Sequence, residues 1–96
     1  MGLGLVLEQA GRLVAATPLI STVLLCGSAV QLAGNATQRQ DILSAIAAGE
    51  RVMALALEEG PHHIPTHIST KAVAEGSSFR ITGTKTFVLD GHAADQ

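Results

Sequence analysis

The sequence predicts an α+β chain, a helical N-terminal part followed by antiparallel strands, and three observations carry that expectation. Apolar residues recur at helical spacing only in residues 1–49. Short runs bounded by glycine and rich in Val, Ile, Thr and Phe occupy the rest, and the change falls at one step, Gly49-Glu50. Helices gathered first and strands gathered second argue for α+β rather than a wound α/β sheet, in which the two would alternate. A length of 96 residues leaves room for one small domain or a piece of a larger one, since domains usually run about 100 to 150 residues. Two domains with separate cores are thereby excluded.

The elements follow in order. Leu3, Leu7, Gly11 and Val14 recur at helical spacing, and Glu8 stands four residues before Arg12, which suits a weak ion pair on one face. Thr17-Pro18 ends that helix because the residue before proline avoids helical geometry. A second helix is expected from about Ser21 to Ala33, carrying Leu24, Leu25 and Val30, with Gly34 placed to stop it. Asn35 followed by Gln38 has capping-box spacing and opens a third helix, whose apolar face is Ile42, Ala45 and Ile46 and which Gly49 closes. Residues 52–57 form a short apolar run compatible with a buried strand, although a buried helical turn has the same pattern. Gly60, Pro61 and Pro65 then mark a loop. Residues 69–75, 79–82 and 84–90 read as strands separated by Gly76-Ser77-Ser78 and Gly83.

Composition bounds the function. Hydrophobic residues make up 47% of the chain but aromatic ones only 2%, so any core is built from Ala, Leu, Val and Ile. A formal charge of -2 with only six Lys and Arg gives no basic stripe able to neutralise a phosphate backbone, so no nucleic-acid partner is expected. The apolar stretch 18–32 is diluted by Ser21, Thr22, Ser28 and Gln31 and is shorter than the about 20 residues a bilayer requires. No membrane partner is expected either. The single cysteine, Cys26, has no internal disulfide partner, and a reducing, cytoplasmic setting is the expectation.

Reactive side chains are few. His62, His63 and His67 cluster behind Glu58 and Glu59, but Pro65 interrupts any helix that would align two histidines one turn apart, and no cysteine pair completes a tetrahedral set. A solvated loop is the expectation, a histidine-loop metal site the weaker alternative. Glu58 and Glu59, being adjacent in an extended segment, point to opposite faces and make a poor acid-base pair. Gly83-Thr84-Lys85-Thr86 lacks the earlier glycine of a phosphate loop and reads as a hairpin turn. No serine stands in a nucleophile elbow. Asp90 and Asp95 read as turn residues. Residue chemistry alone yields no complete active site and no catalytic residue.

Five segments together are similar to the acyl-CoA dehydrogenase family: Glu8-Gln9-Ala10-Gly11-Arg12, Thr17-Pro18-Leu19, residues 43–50, residues 54–58, and Gly83-Thr84-Lys85-Thr86-Phe87-Val88. Their order and spacing carry the resemblance over nearly the whole chain, and Ala93-Ala94-Asp95 resembles the Ala-Asp that precedes the family's next strand. The resemblance implies that residues 1–49 are the end of a helical N-terminal domain. Residues 50–96 are then the start of a middle, flavin-binding β-domain, an incomplete antiparallel barrel-like unit. It implies FAD as cofactor, an acyl-CoA thioester oxidised between its α and β carbons as in fatty acid metabolism, an electron-transferring flavoprotein as electron acceptor, and a homo- or hetero-oligomeric full-length protein.

The resemblance also assigns residues. Ala56, Leu57 and Glu58 fall in one flavin-contacting stretch and Phe87, Val88 and Leu89 in a second, while His63 falls where a serine usually meets cofactor or substrate. Phe87 would pack its ring on the isoalloxazine and exclude water. Backbone donors near Ala56 and Leu57 would reach the flavin edge. Leu57 and Leu89 replace hydroxyl residues of the commonest members, removing hydrogen bonds worth about 0.5 to 1.5 kcal/mol each. The family's catalytic glutamate usually lies in a C-terminal helical bundle outside the segments matched here, so the expectation is a fragment that is inactive alone. A non-catalytic partner subunit or binding module of a split complex is the alternative.

Overall fold

The computed structural model describes residues 2–95. Helix α1 spans Gly2–Arg12 and carries the expected ion pair, Arg12 Nη2 to Glu8 Oε1 at 2.7 Å. It ends earlier than the spacing predicts. Val14 lies beyond the last turn with φ of 48°, and the Ala15 amide donates to the Ala10 carbonyl at 2.9 Å. A β-branched residue therefore sits in the left-handed region, where branching at Cβ is strongly disfavoured.

Pro18 starts the second helical segment, whose first part, Leu19–Cys26, is wound as a π-helix and continues into α2, Gly27–Ala33. The π repeat bonds each residue to one five positions earlier, as the Gly27 amide does to the Thr22 carbonyl. That repeat brings Ser21 and Cys26 to the same side. The three buried residues among those described are Ser21, Thr22 and Cys26, of which Ser21 alone is fully buried. Helix α3, Ala36–Ala47, starts with the expected capping box: the Asn35 side chain accepts from the Gln38 amide and the Gln38 side chain accepts from the Asn35 amide. It closes on Gly49, whose φ of 74° permits two terminal bonds, Gly49 amide to Ile46 carbonyl and Glu50 amide to Ala45 carbonyl.

Strands β1, Lys71–Glu75, and β2, Ser78–Thr82, pair antiparallel across Gly76-Ser77, with Lys71 opposite Thr82 and Glu75 opposite Ser78. The chain is therefore α+β. Two further expected strands are not regular. Residues 52–57 form no regular element and no ladder, and residues 84–90 are broken by Phe87 at φ of 51° and Asp90 at φ of 57°. Positive φ at two positions four residues or fewer apart turns successive peptide planes away from a common pairing direction. The anticipated hairpin turn at 83–86 is likewise absent, that stretch forming neither turn nor strand.

Hydroxyls rather than apolar side chains join the helical and extended parts. The Thr22 hydroxyl donates to the Met53 carbonyl at 2.9 Å and accepts from the Met53 amide at 3.0 Å, while the Ser21 hydroxyl donates to Asp90 Oδ2 at 2.6 Å. Little apolar area is covered. The solvent-accessible surface is 7246 Å², against about 5,200 Å² for a folded protein of this mass. The radius of gyration is 15.1 Å, against about 12.5 Å for this length.

Candidate functional site

The two stretches assigned by resemblance to a flavin run side by side in opposite directions. The Thr86 amide donates to the Glu58 carbonyl at 2.8 Å, and the Asp95 amide donates to the Val52 carbonyl at 2.8 Å. Asp95 closes the same pair a second time, its carboxylate accepting from the Val52 amide at 2.9 Å. Between these pins the segments diverge, because the Met53 backbone is committed to Thr22 and Phe87 has left extended geometry. Ala56, Leu57, Phe87 and Leu89 are exposed, Phe87 at 79%, and Glu58 and Val88 are half-buried. The amides of Ala56 and Leu57 donate to no acceptor among the described residues. The result is an open apolar surface with two backbone donors that have no partner among the described residues.

Glu59 organises the neighbouring loop. Its carboxylate accepts from Lys85 Nζ at 2.7 Å, from the Thr70 hydroxyl at 2.5 Å and from the Ser69 amide at 2.5 Å. Only 6% of its side chain is exposed. The Lys85 ammonium first, then the Thr70 hydroxyl and the Ser69 amide, hold its carboxyl down from the ordinary 4.5 to about 2. Lys85 also donates to the Leu57 carbonyl at 3.2 Å, and the Thr86 hydroxyl donates to the Gly60 carbonyl at 3.1 Å. One carboxylate thus clasps the base of loop 60–69 and ties it to both stretches. Gly83 makes the clasp possible. A Cβ there would stand 2.3 Å from the Thr70 hydroxyl oxygen and 2.9 Å from Thr70 Cα.

Glu58 faces the other way, as alternation in an extended segment requires. Its carboxylate pairs with His63 Nδ1 and accepts from the Ile64 amide at 3.3 Å. Glu58 is largely covered while the His63 ring is mostly exposed. Beside this pair lies a pocket of about 270 Å³ lined by Glu58, Glu59, Gly60, Pro61, His62, Ile64 and His67. His63, the residue placed by resemblance at cofactor or substrate, stands next to that pocket without lining it. Among the described residues no three His, Cys, Asp or Glu side chains converge as a metal site.

No family model, curated protein or solved structure matches the chain.

Sequence reasoning missed the long-range roles of five of the groups that build this region. Ser21 and Thr22 figured only as polar interruptions of an apolar run. Asp90 and Asp95 figured only as turn residues; Asp90 does lie in a turn, and the carboxylates of both also hold distant groups, the Ser21 hydroxyl and the Val52 amide. Lys85 figured in a turn. Their roles here carry no local signal, because the bonds that join them across the fold link residues 26 to 69 positions apart. Among the described residues no helix is long and apolar enough to cross a membrane.

Proposed function

We propose that the chain is the flavin-facing part of a FAD-dependent acyl-CoA dehydrogenase, comprising the end of its helical domain and the start of its middle β-domain. The observation that supports this reading is the antiparallel course of residues 52–58 and 86–95, which sets Ala56, Leu57 and Glu58 beside the turn that carries Phe87, Val88 and Leu89. Bound FAD would supply an acceptor for the hydride leaving the β carbon of an acyl-CoA thioester. The residues present suit such a group. Phe87 offers an uncovered aromatic face for packing on a flat ring and excluding water. The free amides of Ala56 and Leu57 suit the acceptor atoms along a ring edge. Leu57 and Leu89 add apolar cover in place of hydroxyl donors. His63, oriented through Nδ1 by Glu58, presents its other ring nitrogen outward toward a thioester.

No residue of this chain is assigned to remove the α proton, so thioester oxidation requires further protein. In the complete enzyme an electron-transferring flavoprotein takes the electrons, other subunits assemble on the chain, and the setting is cytoplasmic. A non-catalytic partner subunit of a split complex is the second reading, favoured by the large uncovered surface. It predicts a complementary chain that co-purifies.

The test is a titration of FAD followed by flavin fluorescence. Saturable quenching is expected, weakened about threefold to tenfold by Phe87→Ala, with acyl-CoA oxidation by the chain alone at background. Absence of saturable flavin binding, or binding indifferent to Phe87→Ala, removes the reading.

A further inference from the structure

The β1–β2 hairpin has two unlike faces and two open edges. Directly opposed residues share a face, so Ala72, Ala74, Phe79 and Ile81 form one wholly apolar side. Lys71, Val73, Glu75, Ser78, Arg80 and Thr82 form the other. All ten are exposed. The sheet has two strands only among the described residues, so each strand has one row of backbone donors and acceptors without a partner. Such a ribbon is marginal alone, and its open edges are templates for a further strand.

The two edges differ in what they accept. If β1 meets a second β1 antiparallel about a two-fold axis through Val73, Lys71 stands opposite Glu75 of the second copy, Ala72 opposite Ala74, and Val73 opposite Val73. Glu75 then opposes Lys71, so the charge pair forms twice. The Lys-Ala-Val-Ala-Glu strand is complementary to itself under that operation. Strand β2 is not, because the same operation through Arg80 sets two guanidinium groups directly opposite each other, an unfavourable cross-strand pair. Arg80 already holds Glu75 Oε1 at 2.8 Å within its own hairpin, and the carboxylate has a second oxygen for the incoming lysine.

We propose that β1 is a homodimerisation edge, pairing with β1 of a second copy to give a four-stranded antiparallel sheet in the order β2, β1, β1, β2. The contact is isologous and closes on itself, so it yields dimers rather than filaments. It makes the apolar side continuous, with Ala72, Ala74, Phe79 and Ile81 contributed by each copy. Five residues per edge make an interface well below the about 1,200 Å² of a stable complex, so the association is weak and concentration-dependent. It stands independently of the flavin reading.

Sedimentation equilibrium of the whole chain over rising concentration tests it. A monomer–dimer equilibrium is expected, weakening between about 20 mM and about 500 mM salt as the charge pairs are screened. Lys71→Glu, which leaves the Glu75–Arg80 pair intact, should raise the dissociation constant about tenfold or more. A second chain carrying Glu75→Lys with Arg80→Ser, which spares the new lysine a like-charged neighbour, should also fail to self-associate. Mixed in equal amounts, the two variants should recover a heterodimer, since residues 71 and 75 are again opposite in charge across the axis. Circular dichroism confirms that each variant is folded. Unchanged association of Lys71→Glu, a mixture of folded variants that stays monomeric, or open-ended polymers would overturn the proposal.

Discussion

At the scale of single residues the chain is held by short polar side chains in places where apolar ones are usual. Thr22 satisfies both the amide and the carbonyl of Met53 with one hydroxyl. Valine has nearly the same shape and neither function, so Thr22→Val leaves two backbone groups without partners in a covered site. A loss of about 1 to 3 kcal/mol is expected, read as a lower urea midpoint at unchanged slope. Glu59 gives a pH signature. Its carboxyl titrates lower in the folded chain, at about 2, than its ordinary 4.5. The folded state therefore binds its proton less readily, and its contribution is complete above pH 4.5 and lost as pH falls from there through 2. Urea midpoints of the wild type and Glu59→Gln should differ by a constant amount at neutral pH and converge down that acid range. A difference that persists unchanged at the acid end would contradict the clasp.

At the scale of elements, local signals and local strain both matter. The Asn35–Gln38 box forms as its spacing predicts because all its partners lie within four residues. The end of α1 shows the opposite case. Periodicity extends to Val14, but the helix stops at Arg12 and Val14 adopts φ of 48° with its side chain almost wholly exposed. Nothing in the surrounding packing repays that conformation. Val14→Gly should stabilise the chain by about 1 kcal/mol, the usual cost of the left-handed region to a side chain, reduced by the greater freedom of glycine when unfolded. A thermal midpoint that falls on this substitution would show that the Val14 side chain packs more than its exposure indicates. The π-helical stretch is an element that periodicity of 3.6 cannot anticipate. It arises where Ser21, Thr22 and Cys26 all turn inward, and burial raises the Cys26 thiol above its ordinary value.

At the scale of the whole molecule the dominant fact is uncovered apolar area. Among the apolar residues described, only Cys26 is buried, while Leu13, Leu32, Phe79, Ile81 and Phe87 are largely open to solvent. A monomer with this much open surface offers sites for association or for ligands. The folded chain should therefore bind an apolar-surface dye at neutral pH with cooperative unfolding still present, and addition of a true partner should suppress that signal. No dye response in the folded state would show that the apolar side chains are covered in solution. The flavin and dimer readings draw on separate parts of this surface, residues 56–58 and 87–89 for the one and the β1 edge for the other, so the failure of one leaves the other standing.

The sequence by itself determined the α+β class, the presence of three helical segments, the capping box that starts the third, the Gly49 stop and the β1–β2 hairpin with its turn. Each depends on neighbours a few residues away, and spacing reports such neighbours directly. Tertiary structure alone decided that residues 52–57 and 84–90 run past each other without forming a ladder. It also made Ser21 and Thr22 the most buried groups, and it gathered Glu59, Thr70 and Lys85 into one clasp. Those outcomes depend on hydrogen bonds between residues 11 to 69 positions apart. A periodic pattern carries no record of such bonds, since the side chains that make them look locally like ordinary polar loop residues.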